Sequence, residues 1–235
     1  MTQSSSWRQF KAILRKDLVM ELRTKEMVTS MGLYALLTMV VYQIALAEAG
    51  DNFDVRLVMP GLIWVAFIFM SMLGLNRSFV HEQDQGCIDA LLLSPVDRPV
   101  IFFAKFAGNL LFLLVVEFLS LPVFSFLFLQ GREGFGNPIW LVAVVLFGAS
   151  VGISGVGTLL ATMTVNTKGK DVMLSVLFVP LMYPLLRAAV GATFAAVIGG
   201  PGTVETFWAF MMWVAGYDVI MVLAAYGLYE FVVGV

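Results

Sequence analysis

The sequence predicts an all-α, polytopic membrane protein with six transmembrane helices and an N-terminal amphipathic surface helix. Of its 235 residues, 60% are hydrophobic and only 13% are charged, whereas a soluble domain carries roughly a quarter charged residues. The mean hydropathy is +0.92. A chain this short with so few polar residues cannot shield its apolar side chains from water, so we expect the excess to face lipid.

Six hydrophobic runs are long enough to cross a bilayer, since a spanning helix needs roughly 20 apolar residues. They cover residues 28–46, 57–75, 100–129, 139–163, 172–198 and 207–233. The third, fifth and sixth runs exceed the minimum length, which predicts tilted or kinked helices. Pro180 and Pro184 are expected to kink the fifth, because each proline removes a backbone donor and crowds the preceding turn.

The first 26 residues predict a separate amphipathic helix, followed by a membrane domain over residues 27–235. Apolar side chains recur at helical spacing at Trp7, Phe10, Leu14 and Leu18, after a capping Ser6. Basic residues fill the other positions: Arg8, Lys11, Arg15, Lys16, Arg23 and Lys25. This pattern is typical of a helix at the membrane surface. An ordinary helix packed on a neighbour stays open as the alternative.

Lysine and arginine are unequally divided between the two sides of the predicted bundle. With the N-terminus inside, the cytoplasmic side holds those six residues and Arg77, Arg98, Lys105, Lys168 and Lys170. Only Arg56, Arg132 and Arg187 lie outside or near the outer side. The positive-inside rule therefore predicts that both termini are cytoplasmic. The polar, basic N-terminus does not resemble a cleaved signal peptide, and a bacterial inner membrane is the expected location.

The longest polar connection, at about residues 77–99, is predicted to be a cytoplasmic coupling segment. Ile88, Leu91 and Leu92 fall on one face of a short helix that Ser94-Pro95 would end. Such a half-apolar helix suits docking of a partner. Folding of this segment back onto its own bundle is the alternative, and the sequence favours neither.

The residues needed for common cofactor chemistry are scarce. Cys87 is the only cysteine and His81 the only histidine, so a disulfide framework and a cysteine-rich metal site are excluded. Gly169-Lys170 is followed by Asp171, which does not match the phosphate-binding loop of ATPases. We therefore expect no bound cofactor and no catalytic residue in this chain.

Charged residues within the runs are costly in lipid and so indicate a specific environment. Lys105 lies near a cytoplasmic end and is expected to snorkel to the surface. Glu117 lies about 18 Å further along the same helix, and Arg187 lies at similar depth. We hypothesise that Glu117 and Arg187 face the interior and pair; alternatively, Arg187 reaches the outer headgroups.

The fourth run carries small residues at four-residue spacing, which lets helices approach closely in a membrane. They are Gly148, Gly152, Ser150, Ser154, Gly157 and Ala161. We expect this face to pack within the chain rather than against a second copy.

Four segments together resemble the haem exporter protein B (CcmB) family, the permease subunits of the ABC transporter of cytochrome c maturation. They are residues 14–26, the Met59-Pro-Gly-Leu-Ile-Trp-Val-Ala66 entry to the second span, the connection from Arg77 to Lys105, and residues 166–171 before the proline-containing span. The likeness covers nearly the whole chain, although no single motif is decisive. The resemblance implies an ABC-2-like permease without catalytic activity of its own.

The resemblance also implies partners: an ABC ATPase, expected in two copies, a second copy of this chain, a haem-handling membrane protein and a small helper subunit. Lipid is a further expected partner, and nucleic acid is not. ATP and haem would be bound by partner subunits. The implied ATPase-coupling interface is formed by Glu82, Gly86, Ile88, Leu91 and Leu92 together with Lys16, Asp17, Glu21 and Arg23.

Two other functions stay open on the sequence. One is an ABC-2 permease for another hydrophobic or lipid-linked substrate, and the other is a structural subunit or an intramembrane enzyme. An enzyme would need polar groups clustered at one depth, and only Glu117 and Arg187 approach that condition. The transported species and the copy number are not determined by the sequence.

Overall fold

A computed structural model describes residues 6–48, 54–84, 98–128, 137–164 and 170–233, and these ranges are helical apart from short turns. Six of the helices are long and apolar enough to cross a membrane, which confirms the predicted all-α, polytopic fold. A short 3-10 helix, Val55–Leu57, precedes the third helix. The helices are α1 (Ser6–Thr24), α2 (Glu26–Ala47), α3 (Met59–Asp84), α4 (Arg98–Phe128), α5 (Trp140–Thr164), α6 (Lys170–Ile198) and α7 (Thr203–Val233).

Helix α3 is longer than the hydrophobic run that predicted it. It continues through Asp84, so the first turns of the expected cytoplasmic loop are helical. The reason is local, because no glycine or proline occurs between Asn76 and Gln85 to end the helix. Helix α6 likewise runs without a break through Pro180 and Pro184.

The joint between α1 and α2 is a single residue. Lys25 adopts a left-handed conformation with φ of 56°, which is the only positive φ at a non-glycine residue in the described ranges. Glu21 stabilises this turn, because its carboxylate accepts a hydrogen bond of 2.9 Å from the backbone N–H of Val28. The side chain therefore satisfies one of the free donors at the start of α2.

Helix α5 is the centre of the bundle and packs against α3, α4, α6 and α7. Its small residues make this possible. A Cβ at Gly152 would collide with the Asp218 carboxylate of α7, and one at Gly157 would collide with Leu75 of α3. The expectation that this small-residue face packs within the chain is confirmed.

Helix α1 packs on the first part of α4, where Ile13 joins Ile101 and Ala104 in a small buried cluster. Phe10 packs at the edge of the cluster, while Trp7 is 60% exposed. Trp7 stacks on Phe10 with the ring centres 5.3 Å apart, so these two residues of the predicted apolar face lie together. Ile13 and Asp17 of α1 face the bundle.

Candidate functional site: the first helix and the polar seam

Helix α1 is joined to α4 by a buried ion pair. Lys105 Nζ lies 2.9 Å from Asp17 Oδ2, and the two side chains are only 6% and 11% exposed. Lys16 Nζ lies 3.2 Å from the other oxygen of Asp17. The expectation that Lys105 snorkels to the surface is therefore wrong, because α1 covers the first part of α4 and supplies a carboxylate to the ammonium group.

The predicted coupling residues of α1 divide into two groups. Asp17 pairs with Lys105 and Glu21 caps α2, so both carboxylates face their own bundle. Contact of these two residues with an ATPase stays a prediction. Lys16 and Arg23 line an open groove of about 630 Å³ along α1. Arg15 and Val19 also line the groove.

The other predicted coupling residues cannot be placed in the same detail. Glu82 lies within α3, but its side chain is outside the described part of the chain. Gly86, Ile88, Leu91 and Leu92 lie outside the described residues altogether. Their part in a coupling interface stays a prediction.

Glu117 is completely buried in the middle of α4, as the sequence indicated. Its Oε2 atom lies 2.5 Å from the hydroxyl oxygen of Ser150 on α5. Arg187, by contrast, is exposed, and its guanidinium lies 5.8 Å from the centre of the Phe210 ring. The hypothesis of an interior Glu117–Arg187 pair is therefore wrong here. Helix α6 packs mainly on α3, α5 and α7, so Arg187 does not face α4.

Polar side chains line the contact between α4 and α5. Asn109 Nδ2 donates a hydrogen bond of 3.0 Å to Thr158 Oγ1, and Ser154 donates one of 2.8 Å to the carbonyl of Phe106. These contacts continue from the ion pair towards Glu117. We define the polar seam as Lys105, Asn109 and Glu117 of α4 with Ser150, Ser154 and Thr158 of α5.

Sequence reasoning also missed two buried polar residues outside the seam, Asp218 and Trp64. Asp218 of α7 is 9% exposed and lies against Gly152. The sequence could have predicted the burial of Asp218, because a lone acidic residue in an apolar run must avoid lipid. Trp64 of α3 donates a hydrogen bond of 2.9 Å to Thr193 of α6, and no sequence pattern connects residues so far apart.

Comparison with known proteins identifies the family. The family model described as CcmB protein matches residues 8–228, a range that begins in α1 and ends in α7. The chain belongs to the CcmB protein family. The expected resemblance is thereby confirmed, and the match includes all six spans.

Curated relatives in this CcmB family carry the name heme exporter protein B. The protein of Pseudomonas aeruginosa is 30% identical over 149 residues, which are 63% of this chain and 65% of the relative. That of Paracoccus denitrificans is 32% identical over 127 residues, 54% of this chain and 56% of the relative. The Haemophilus influenzae protein is 25% identical over 194 residues, 82% and 84% of the two chains. The chain thus spans less than two thirds of the first two relatives.

Proposed function

We propose that this chain is the membrane permease subunit of an ABC transporter complex for cytochrome c biogenesis. It would transmit motion from separate ATPase subunits to a step of haem export or of haem-chaperone release. The observation that carries the coupling role is the attachment of α1 to two spans, through Asp17 to Lys105 and through Glu21 to the start of α2. A force on α1 is therefore passed to both α4 and α2.

The haem part of the proposal comes from the relatives, whose printed name is heme exporter protein B. The membrane part is supported by six apolar helices. The unequal distribution of lysine and arginine favours a cytoplasmic position for α1 and both termini, and we propose a bacterial inner membrane as the location. An ATPase on that side would meet α1 first, together with residues 77–99.

The outer face of α1 offers a surface of suitable chemistry for the ATPase. Arg15 and Arg23 are exposed on the groove, and Val19 between them is 40% exposed. Leu22, beside the groove, is 71% exposed. A mixed basic and apolar surface binds an acidic, partly apolar partner well.

The further partners remain those implied by the family. They are two copies of the ATPase, a second copy of this chain, a haem-handling membrane protein and a small helper subunit. This chain would hydrolyse no ATP and bind no cofactor, because ATP and haem would be bound by those partners. The 77–99 segment would complete the ATPase interface.

The test combines deletion of the gene with purification of the tagged chain in gentle detergent. We expect loss of c-type cytochromes on deletion, and co-purification of an ATPase and of haem-maturation proteins. Val19→Asp combined with Arg23→Glu should detach the ATPase or uncouple its hydrolysis. Lys11→Glu is the matched control, because Lys11 is an exposed base of α1 that does not line the groove.

The outcomes separate the competing functions. An ATPase partner with normal c-type cytochromes would indicate an ABC-2 permease for another hydrophobic or lipid-linked substrate. A chain that purifies alone, with cytochromes unaffected by its loss, would indicate a structural subunit. If Lys11→Glu detaches the ATPase as strongly as the groove variant does, the groove is not the specific contact.

A further inference from the structure

The polar seam leads to Glu117, whose carboxyl group is enclosed in the middle of the bundle. Twelve positions separate it from Lys105, which is about 18 Å along the helix. That depth is near the middle of a hydrocarbon layer of about 30 Å. An ionised side chain there is costly unless an opposite charge pairs with it. The charge of Glu117 therefore depends on its neighbours.

No cation forms an ion pair with Glu117 within the described ranges. Helix α5 has no charged side chain between Trp140 and Thr162. Arg77 of α3 lies 4.0 Å from Glu26 of α2, at the end of the bundle that carries α1. Within the described part of the chain, α1, α2 and α7 also bring other titratable groups towards the bundle. They are Lys16 and Asp17 beside Lys105, Tyr34 and Tyr42 of α2, and Tyr217, Asp218 and Tyr226 of α7.

Asp218, the other buried carboxyl group, does not compensate Glu117. It lies against Gly152, while Glu117 contacts Ser150. Two positions along a helix correspond to a rotation of about 200°, so the two acids lie on opposite sides of α5. Like charges at similar depth would disfavour ionisation of both groups.

The hydrogen bonds around Ser150 indicate where a proton resides. Its hydroxyl oxygen lies 2.5 Å from Glu117 Oε2 and 2.7 Å from the carbonyl of Leu146. A hydroxyl has one hydrogen to donate, and a carbonyl can only accept. Both contacts are hydrogen bonds if Ser150 donates to Leu146 and the Glu117 carboxyl donates to Ser150. Among the described residues, nothing forms a hydrogen bond with the remaining atom, Glu117 Oε1, which a neutral acid tolerates better than a carboxylate does.

The hydroxyl groups of α5 provide a route to this carboxyl group. Ser150, Ser154 and Thr158 follow one another at four-residue spacing, about 6 Å apart along the axis. Ser154 and Thr158 bond to α4, through the carbonyl of Phe106 and the amide of Asn109. Lys105 lies one turn before Asn109 on α4, seven residues after the helix begins at Arg98. One water molecule between successive hydroxyls would complete a hydrogen-bonded chain.

We propose that Glu117 is a proton-binding site in the middle of the membrane, reached from the α1 end along the hydroxyl row of α5. The ligand is a proton: the carboxylate accepts it to form the neutral acid, and no other bond is made or broken. The packed bundle holds the protonated form. This inference rests on the seam alone and stands independently of the proposed transport function.

Infrared spectroscopy of the full chain in lipid vesicles tests the proposal, since the C=O stretch of a carboxylic acid is distinct from the bands of a carboxylate. At neutral pH, the difference between the infrared spectra of wild type and Glu117→Gln should contain the C=O band of a carboxylic acid. Asp218→Asn identifies the band of the other buried acid. Ser150→Ala should keep the Glu117 band and move it to higher frequency, because the acid loses its acceptor. Loss of carboxylate bands in Glu117→Gln would overturn the proposal.

The route is tested by following the shift of the same band after transfer to D₂O. We expect Ser154→Ala combined with Thr158→Val to slow this exchange several-fold. Thr38→Val is the matched control, because the Thr38 hydroxyl donates a hydrogen bond to the carbonyl of Tyr34 within its own helix α2. An exchange rate unchanged by the seam variant, or slowed equally by the control, would refute access along the row.

Discussion

Helices α5 and α7 have similar hydropathy and very different surroundings. Over an 18-residue stretch of each span, the mean hydropathies are 2.0 and 1.7, yet 72% of the stretch in α5 and only 11% of that in α7 is buried within the chain. Helix α5 contacts its neighbours through glycine and serine, whereas α7 buries a narrow stripe that includes Phe207, Val214 and Ala225. Hydropathy therefore identifies a span, but side-chain size determines whether that span is central.

Buried polar groups are also distributed unequally between the centre of the bundle and α7. The seam of α4 and α5 holds buried polar groups bonded across the helix contact. The outer face of α7 is apolar, with Trp213, Ile220 and Leu223 more than half exposed. Lipid can cover such a face without a penalty, but it cannot satisfy a hydrogen-bonding group. Substitutions in the two regions should therefore differ in their effects on stability.

The largest effect is expected at the buried ion pair. Lys105→Met leaves Asp17 enclosed without its main partner, and should lower the free energy of unfolding by about 3 kcal/mol. Chemical unfolding in detergent micelles measures it. Adding Asp17→Leu should recover most of the loss, and Lys11→Met, at an exposed base, should cause almost none. A loss of similar size in Lys11→Met would contradict the assignment of the pair as the cause.

The next effect tests close packing at α5. Gly152→Ala places a methyl group against Asp218 and Leu185, and should cost about 1–3 kcal/mol of unfolding free energy. Gly216→Ala on α7 is the matched control, because nothing lies within 4 Å of its Cβ position. The control should be neutral or slightly stabilising, since alanine favours a helix. Equal destabilisation of both variants would show that α5 is not the more tightly packed helix.

A smaller effect is expected for one buried hydrogen bond. Thr193→Val keeps the side-chain shape but leaves the indole N–H of Trp64 without its acceptor. Interhelical hydrogen bonds in membrane proteins contribute about 0.6 kcal/mol on average, and we expect a loss of about 1 kcal/mol. Thermal unfolding of Thr193→Val and of the control variant Thr38→Val, each compared with wild type, measures this loss. If the control loses as much, the contact between α3 and α6 contributes nothing specific.

The smallest effect is expected on the outer face of α7. Leu223 is 63% exposed, and Leu223→Ala should change the unfolding free energy by less than about 0.5 kcal/mol. Val214→Ala, at a fully buried position of the same helix, should cost more. A large loss at Leu223 in lipid would show instead that a protein surface, such as a second copy, covers this face.

The sequence predicted the spans well and the partners of polar residues poorly. The apolar runs agree with the six helices to within a few residues, apart from the end of α3 beyond its apolar run. The burial of Glu117 was also predicted, because a charge in the middle of a span must avoid lipid. Its partner was not: Arg187 was favoured as the opposite charge, and the structure places Ser150 there.

For this protein, the amino-acid sequence by itself determined the fold class, the number of spans and the importance of small residues in α5. The cause is the bilayer, which requires long apolar helices and close helix contacts wherever the chain crosses it. Only the tertiary structure decided that Asp17 pairs with Lys105, 88 positions away, and that Asp218 lies against Gly152. Such contacts depend on the rotation of each helix about its axis, and that rotation is set by packing against all neighbours together.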